Sequence, residues 1–185
     1  LSDPACGRLM GPEVEVPAKV TLAARWPDGS VKWLLARVQA DAPANGETAY
    51  RLEFGPAVTR KPAPTGLTVQ ETSEGVRIDT GALRLLVDRR GNLSQLQAGT
   101  RKLLRGDAPC RTVASLPDGT PLHAAKQVDV SVEESGPLRA VVKAVSYLGD
   151  AQGTNLLRIE KRIEAYRQRA IVRIEHTTVI VAPQK

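Results

Sequence analysis

The sequence predicts a β-rich chain of two domains, sandwich or barrel in architecture. Three observations carry that prediction. Short apolar runs recur with a period of two, turn signals punctuate them at even spacing, and one proline-rich stretch divides the pattern. A length of 185 residues allows one large domain or two small ones. Hydrophobic residues make up 42% and aromatic residues 3%, so a core must be built from Val, Leu, Ile and Ala.

The first elements are organised around Arg25-Trp26-Pro27-Asp28-Gly29-Ser30-Val31-Lys32-Trp33. Proline pre-sets φ, aspartate can bond its own backbone, and glycine takes φ > 0 at little cost. Both tryptophans of the chain flank this turn, which reads as a tight hairpin anchoring the first core. Val14, Val16, Val20 and Leu22 lead into it. The return run, Val31 to Ala40, is apolar on both faces, which fits a strand covered on both sides. Asn45-Gly46 turns the chain again, and Tyr50, Leu52 and Phe54 alternate with Arg51 and Glu53. The expectation here is a meander of at least three antiparallel strands.

Pro56, Pro62 and Pro64 lie within Gly55 to Gly66, the best linker in the chain. A domain boundary is placed there, at 60/61. Beyond it, Leu83, Leu85 and Val87 share one face, and Asp88-Arg89-Arg90-Gly91-Asn92 turns the backbone. A second Pro-Asp-Gly turn stands at Pro117-Asp118-Gly119. Val128, Val130 and Val132 alternate with Asp129, Ser131 and Glu133, and Leu138 to Tyr147 forms the next strand after Gly136-Pro137. Asn155 to Ala170 is readable in two ways. Leu156, Ile159, Ile163 and Tyr166 fit a helical face, while Leu157, Ile159, Ile163 and Ala165 fit a strand face on which Lys161 is the exception. Ile171 to Val181 is strand.

The net charge of +6 favours solubility and attraction to acidic partners. The basic cluster Arg158, Lys161, Arg162, Arg167, Arg169 and Arg173 is interrupted by Glu160 and Glu164, and only Tyr166 stands near it. Nucleic-acid binders need more stacking aromatics than that. No P-loop, dinucleotide fingerprint or Gly-x-Ser-x-Gly elbow occurs, so no cofactor is expected. No cysteine–histidine spacing suits zinc, and no metal is expected. Cys6 and Cys110 allow one disulfide or two free thiols. No window approaches a transmembrane helix, and the sequence opens without a basic n-region or an apolar h-region. Glu133 and Glu134 are neighbours, so a regular strand would send them to opposite faces. His123 follows Pro121 in a loop and reads as exposed. His176 reads either as a hydrogen-bonded residue on a sheet face or as a general base near Arg173 or Tyr166.

Some of these segments also carry a family likeness. Arg25 to Trp33, Gln39 to Gly46 and Tyr50 to Gly55 resemble the N-terminal barrel domain of exo-rhamnogalacturonan lyase-like proteins, the family of a fungal exo-acting lyase and the bacterial YetA-type proteins. Asp79-Thr80-Gly81-Ala82-Leu83, Glu134 to Val142, Arg162 to Tyr166 and Val172 to Thr177 resemble that family's central β-sandwich. The resemblance implies an all-β chain, with a small antiparallel barrel over 1–60 and a β-sandwich, whole or in part, over 61–185. It makes Asn155 to Ala170 a long strand. It also implies an extracellular or periplasmic protein whose helical toroid forms much of the catalytic cleft, so no catalytic residue carries over. The implied chemistry is β-elimination on acidic, pectin-type glycans. A cation would offset the uronate charge while a base takes the C5 proton. Arg162, Tyr166, Arg173 and His176 are the one local group of suitable types. Expected partners are an acidic polysaccharide or further domains of the same protein, with the oligomeric state open. The alternative is a structural or interaction module of an extracellular or virion assembly.

Overall fold

A computed structural model describes residues 7–104 and 109–181. Every strand pair in it is antiparallel, and no helix occurs among the described residues. The chain divides into two compact units, Leu1–Thr65 and Gly66–Lys185.

The first unit holds β1 (Gly7–Met10), β2 (Glu15–Val16), β3 (Ala18–Arg25), β4 (Val31–Val38) and β5 (Arg51–Phe54). They form a three-stranded sheet in the order β2-β1-β5 and a separate β3-β4 hairpin. The expected meander is therefore corrected. The strand after the hairpin pairs with β1 and not with β4, because the long 39–50 connection lets it reach a non-neighbouring edge. The hairpin itself forms as its turn residues dictate. Asp28 Oδ1 accepts from Ser30 N at 2.9 Å and Ser30 Oγ at 2.7 Å, and Gly29 sits at φ 82°.

Its role as a core anchor is overturned. Trp26 is 50% and Trp33 63% exposed, and Lys32 Nζ lies 4.3 Å from the centre of the Trp26 ring. Among the described residues of this unit, only Gly7 is buried. Leu35, Val38, Leu52 and Phe54 are also exposed. Trp33 and Leu35 of one face are exposed and Leu34 of the other is only half-buried, as in a ribbon too small to bury either face.

The second unit is built from two sheets. β6 (Thr68–Thr72), β7 (Gly75–Asp79), β8 (Arg84–Asp88), β9 (Leu93–Ala98) and β10 (Arg101–Lys102) make a five-stranded meander. β11 (His123–Ser135), β12 (Arg139–Gly149), β13 (Asn155–Tyr166) and β14 (Val172–Ile180) make a four-stranded one. One core joins Val76, Ile78, Leu85, Val87 and Leu93 of the first sheet to Ala140, Val142, Ile163 and Ala165 of the second. This is sandwich packing, with alternate residues of each strand turned inward. Ile78, Ile163, Val87 and Val142 are essentially inaccessible. Each contributes about 2 kcal/mol through its buried apolar surface.

The ambiguity at Asn155 to Ala170 is resolved as strand. β13 pairs on both sides, Ile163 with Val142 of β12 and with Ile174 of β14. Central pairing outweighs the helix-forming preference of its Glu, Arg and Lys residues.

Candidate functional site

Strand alternation divides the four candidate residues between the two faces of one sheet. On β13 the even positions Glu160, Arg162, Glu164 and Tyr166 point away from the core. The odd positions Ile159, Lys161, Ile163 and Ala165 point into the sandwich and are buried. Cross-strand partners share a face, so Arg173, opposite Glu164, is on the outer side. His176 lies opposite Lys161 and is on the inner side. The structure thus brings Arg162, Tyr166 and Arg173 to one face and separates His176 from them.

The outer face is a lattice of closed charge pairs. Glu164, 3% exposed, sits at its centre. It accepts from Tyr166 OH at 2.6 Å, Arg139 Nη1 at 3.3 Å and Arg173 Nη1 at 3.3 Å. Arg173 also pairs with Glu175. Arg162 Nε donates to Glu133 at 2.7 Å, and its Nη1 lies 2.5 Å from Glu160. Lys143 Nζ bridges Glu133 and Glu160 at 3.6 Å each.

The carboxylate pair Glu133–Glu134 departs from the sequence expectation. A β-bulge between Val132 and Glu134 makes Glu133 an extra residue, so both side chains reach the outer face. They do not act together there. Glu133 holds Arg162, while Glu134 accepts from Arg139 Nη2 at 2.6 Å.

These contacts set the protonation chemistry. The bond from Arg162 holds the Glu133 carboxyl below its usual range. The same pair, seen from the guanidinium, fixes Arg162 as a cation. Burial, then the bond donated to Glu164, pushes the Tyr166 phenol above its ordinary value. The charges of Glu175 and Glu164 hold Arg173 protonated. Of the three candidates on this face only Tyr166 could act as a base, as its phenolate, and this surrounding disfavours that form.

The inner face opens at one margin of the sandwich into a cavity of about 400 Å³. Leu93, Val113, Ile163 and Ile174 give it apolar walls, and Lys161, His176, Thr112, Arg111 and Cys110 supply its polar groups. The local folding explains the arrangement. Asp88 Oδ1 accepts from the backbone N–H groups of Arg90 and Asn92, each at 2.9 Å, which closes the β8–β9 turn. Gly91 in that turn has φ 69°, and a Cβ there would stand 2.6 Å from Ala144 Cβ on the opposing sheet. Only glycine lets the turn come so close. The approach delivers Asn92, whose Oδ1 accepts from Lys161 Nζ at 3.2 Å.

Cys110 N donates to Leu93 O at 2.9 Å, tying the 110–113 segment beside β9. Thr112 Oγ1 is hydrogen-bonded to His176 Nε2 at 2.9 Å. His176 is therefore a hydrogen-bonded sheet residue, and neither Arg173 nor Tyr166 shares its face. Burial pulls the Lys161 amine below the ordinary lysine value, against the opposing charges of Cys110 and Asp88.

Of the residues in and beside this cavity, sequence reasoning named His176 for another reason, named Asn92 only as part of a turn, and missed Thr112. Lys161 did leave a signal, as the one charged residue on an otherwise apolar strand face. No cluster of three or more His, Cys, Asp or Glu that could hold a metal occurs among the described residues. Cys6 lies outside the described residues, and with it the question of a bond to Cys110. No helix among the described residues is long and apolar enough to cross a membrane.

No family model matches the chain. It is similar to the uncharacterized protein YetA of Bacillus subtilis (strain 168), with 31% identity over 136 residues. The matched stretch is 65% of this chain and 15% of YetA, so the chain spans about 15% of the length of that curated relative. The relationship is therefore YetA-like over most of the chain and reaches only a small part of YetA.

Proposed function

We propose that this chain is the non-catalytic, β-rich part of a larger polysaccharide-lyase-like protein that acts by β-elimination on acidic, pectin-type glycans. The observation that carries the non-catalytic assignment is the division of the candidate group. Elimination needs a cation on the uronate carboxylate and a base at C5 within reach of one substrate. Arg162 and Arg173 are each taken up by two carboxylates, Tyr166 donates to Glu164, which Arg173 also holds, and His176 is on the opposite sheet face. The lyase part of the reading rests on the family resemblance and the YetA-like relationship. On it, the reacting groups belong to other parts of the larger protein, which works outside the cell or in the periplasm.

The test is unsaturated-uronate absorbance over a panel of acidic glycans. A full-length protein containing this region is expected to generate product, and residues 1–185 alone none. Absence of product from the full-length protein across the panel would overturn the lyase reading.

A structural or interaction module is the second reading. It is favoured by the exposed apolar residues of the first unit, Trp26, Trp33, Leu35 and Phe54. Light scattering decides it, because a strict monomer at high concentration removes the self-assembling form of that reading.

A further inference from the structure

The Lys161 amine is out of place unless something joins it. Its residue is 6% exposed. It lines a half-open hollow in which Leu93 and Ile163 are buried and Val113 and Ile174 are exposed at the rim, and its hydrogen bond goes to the neutral amide oxygen of Asn92 at 3.2 Å. Among the described residues, no carboxylate lies within ion-pairing distance of it, and Asp88 acts on it only from further off. An ammonium has three N–H groups, and one amide oxygen satisfies one of them. Buried ammonium groups are ordinarily paired with an anion. Here an anion has room to enter.

The surroundings narrow its chemistry. Arg111 adds a second positive charge at the cavity. His176 stands across the strand ladder from Lys161, with its Nε2 bonded to Thr112 Oγ1. The rest of the lining is the Cys110 thiol and the aliphatic side chains of Leu93, Val113, Ile163 and Ile174. A phosphate dianion would want a nest of backbone N–H groups, and the Cys110 N–H at this margin is already bonded to Leu93 O. A single carboxylate on a compact apolar body matches one ammonium, one flanking guanidinium and an aliphatic wall.

We propose that this cavity is a binding site for a small monocarboxylic acid with an apolar body, its carboxylate on Lys161 and its carbon skeleton against Leu93, Val113, Ile163 and Ile174. The size suits a ring or a short branched chain, since cavities of about 300 Å³ and upward hold small organic ligands. The site is independent of the lyase reading and stands or falls separately from it.

Titration of the 185-residue chain with benzoate, followed by two-dimensional NMR, tests the assignment. The expected result is saturable shifts at Thr112, Val113, Ile174 and His176, with benzyl alcohol and benzylamine each binding at least about tenfold more weakly. Lys161→Met is expected to lose benzoate by about tenfold or more while keeping weak benzyl alcohol binding. Should that variant fail to fold, the wild-type preference for benzoate over its two uncharged or cationic analogues decides alone. Equal shifts from benzyl alcohol would show an apolar hollow with no carboxylate site. No saturable shift at these residues would overturn the proposal altogether.

Discussion

Glu164 shows how one side chain can fix a whole face. It takes three hydrogen bonds from Tyr166, Arg139 and Arg173 while nearly out of contact with water. Glu164→Ala leaves Arg139 to Glu134 and Arg173 to Glu175. Because both guanidiniums keep some solvent and a second partner, the expected loss is about 2 kcal/mol, below that of a wholly buried pair. Tyr166→Phe removes one of the three bonds and is expected to cost about 1 kcal/mol. Urea unfolding of both variants checks the order.

Lys161 makes the opposite case, because its charged form is disfavoured in the fold. The groups facing it are Asp88 and Asn92 from the β8–β9 turn, Cys110 and Arg111 from the neighbouring segment, and His176 across the ladder. Its folded pKa lies below the ordinary lysine value of about 10.5, so between the two the unfolded chain holds more protons. Stability from this group therefore rises with pH in the window below 10.5 and is lowest at neutral pH. Lys161→Met is expected to unfold at a higher temperature than the wild type at pH 7 and to lose that part of the alkaline rise. Thermal melts at pH 7 and pH 10 measure it.

At the scale of elements, most of the second unit could be read from residues. Leu83, Leu85 and Val87 announced one sheet, and Val128, Val130 and Val132 the other, because period two is visible wherever one face is buried. The site was less legible. The bulge that carries Glu134 to the side of Glu133 has no signature in a run of regular alternation, since it arises from pairing with β12. The helix-or-strand question over Asn155 to Ala170 was settled by two neighbouring strands, which local preference does not contain. Lys161 was visible as an exception to its face, but its meaning depended on Asn92, 69 residues away. The β8–β9 turn that places Asn92 is itself testable. Gly91→Ala adds a methyl 2.6 Å from Ala144 Cβ at positive φ, and it should destabilise the fold by about 2 kcal/mol or more. NMR of that variant should show the largest shifts at Asn92 and Lys161.

On the scale of the molecule, the two units differ in what holds them. The core of the second unit is drawn from Val76 to Ala165 and lies within that unit. Residues 66–185 expressed alone are therefore expected to unfold in one cooperative transition, followed by circular dichroism. The first unit has exposed Trp26, Trp33 and Phe54 and no buried apolar side chain among its described residues. Residues 1–65 alone are expected to show no cooperative transition. The tryptophan hairpin was legible as a turn and misleading as a core. Turn chemistry is local, whereas exposure depends on what covers a face.

The proposed function makes Arg162, Tyr166 and Arg173 a closed structural lattice and not a lyase centre. It is tested most directly by incubating the 185-residue chain with rhamnogalacturonan and polygalacturonate and following unsaturated-uronate absorbance. No product is expected. Product that disappears in Tyr166→Phe, with the variant still folded, would contradict it.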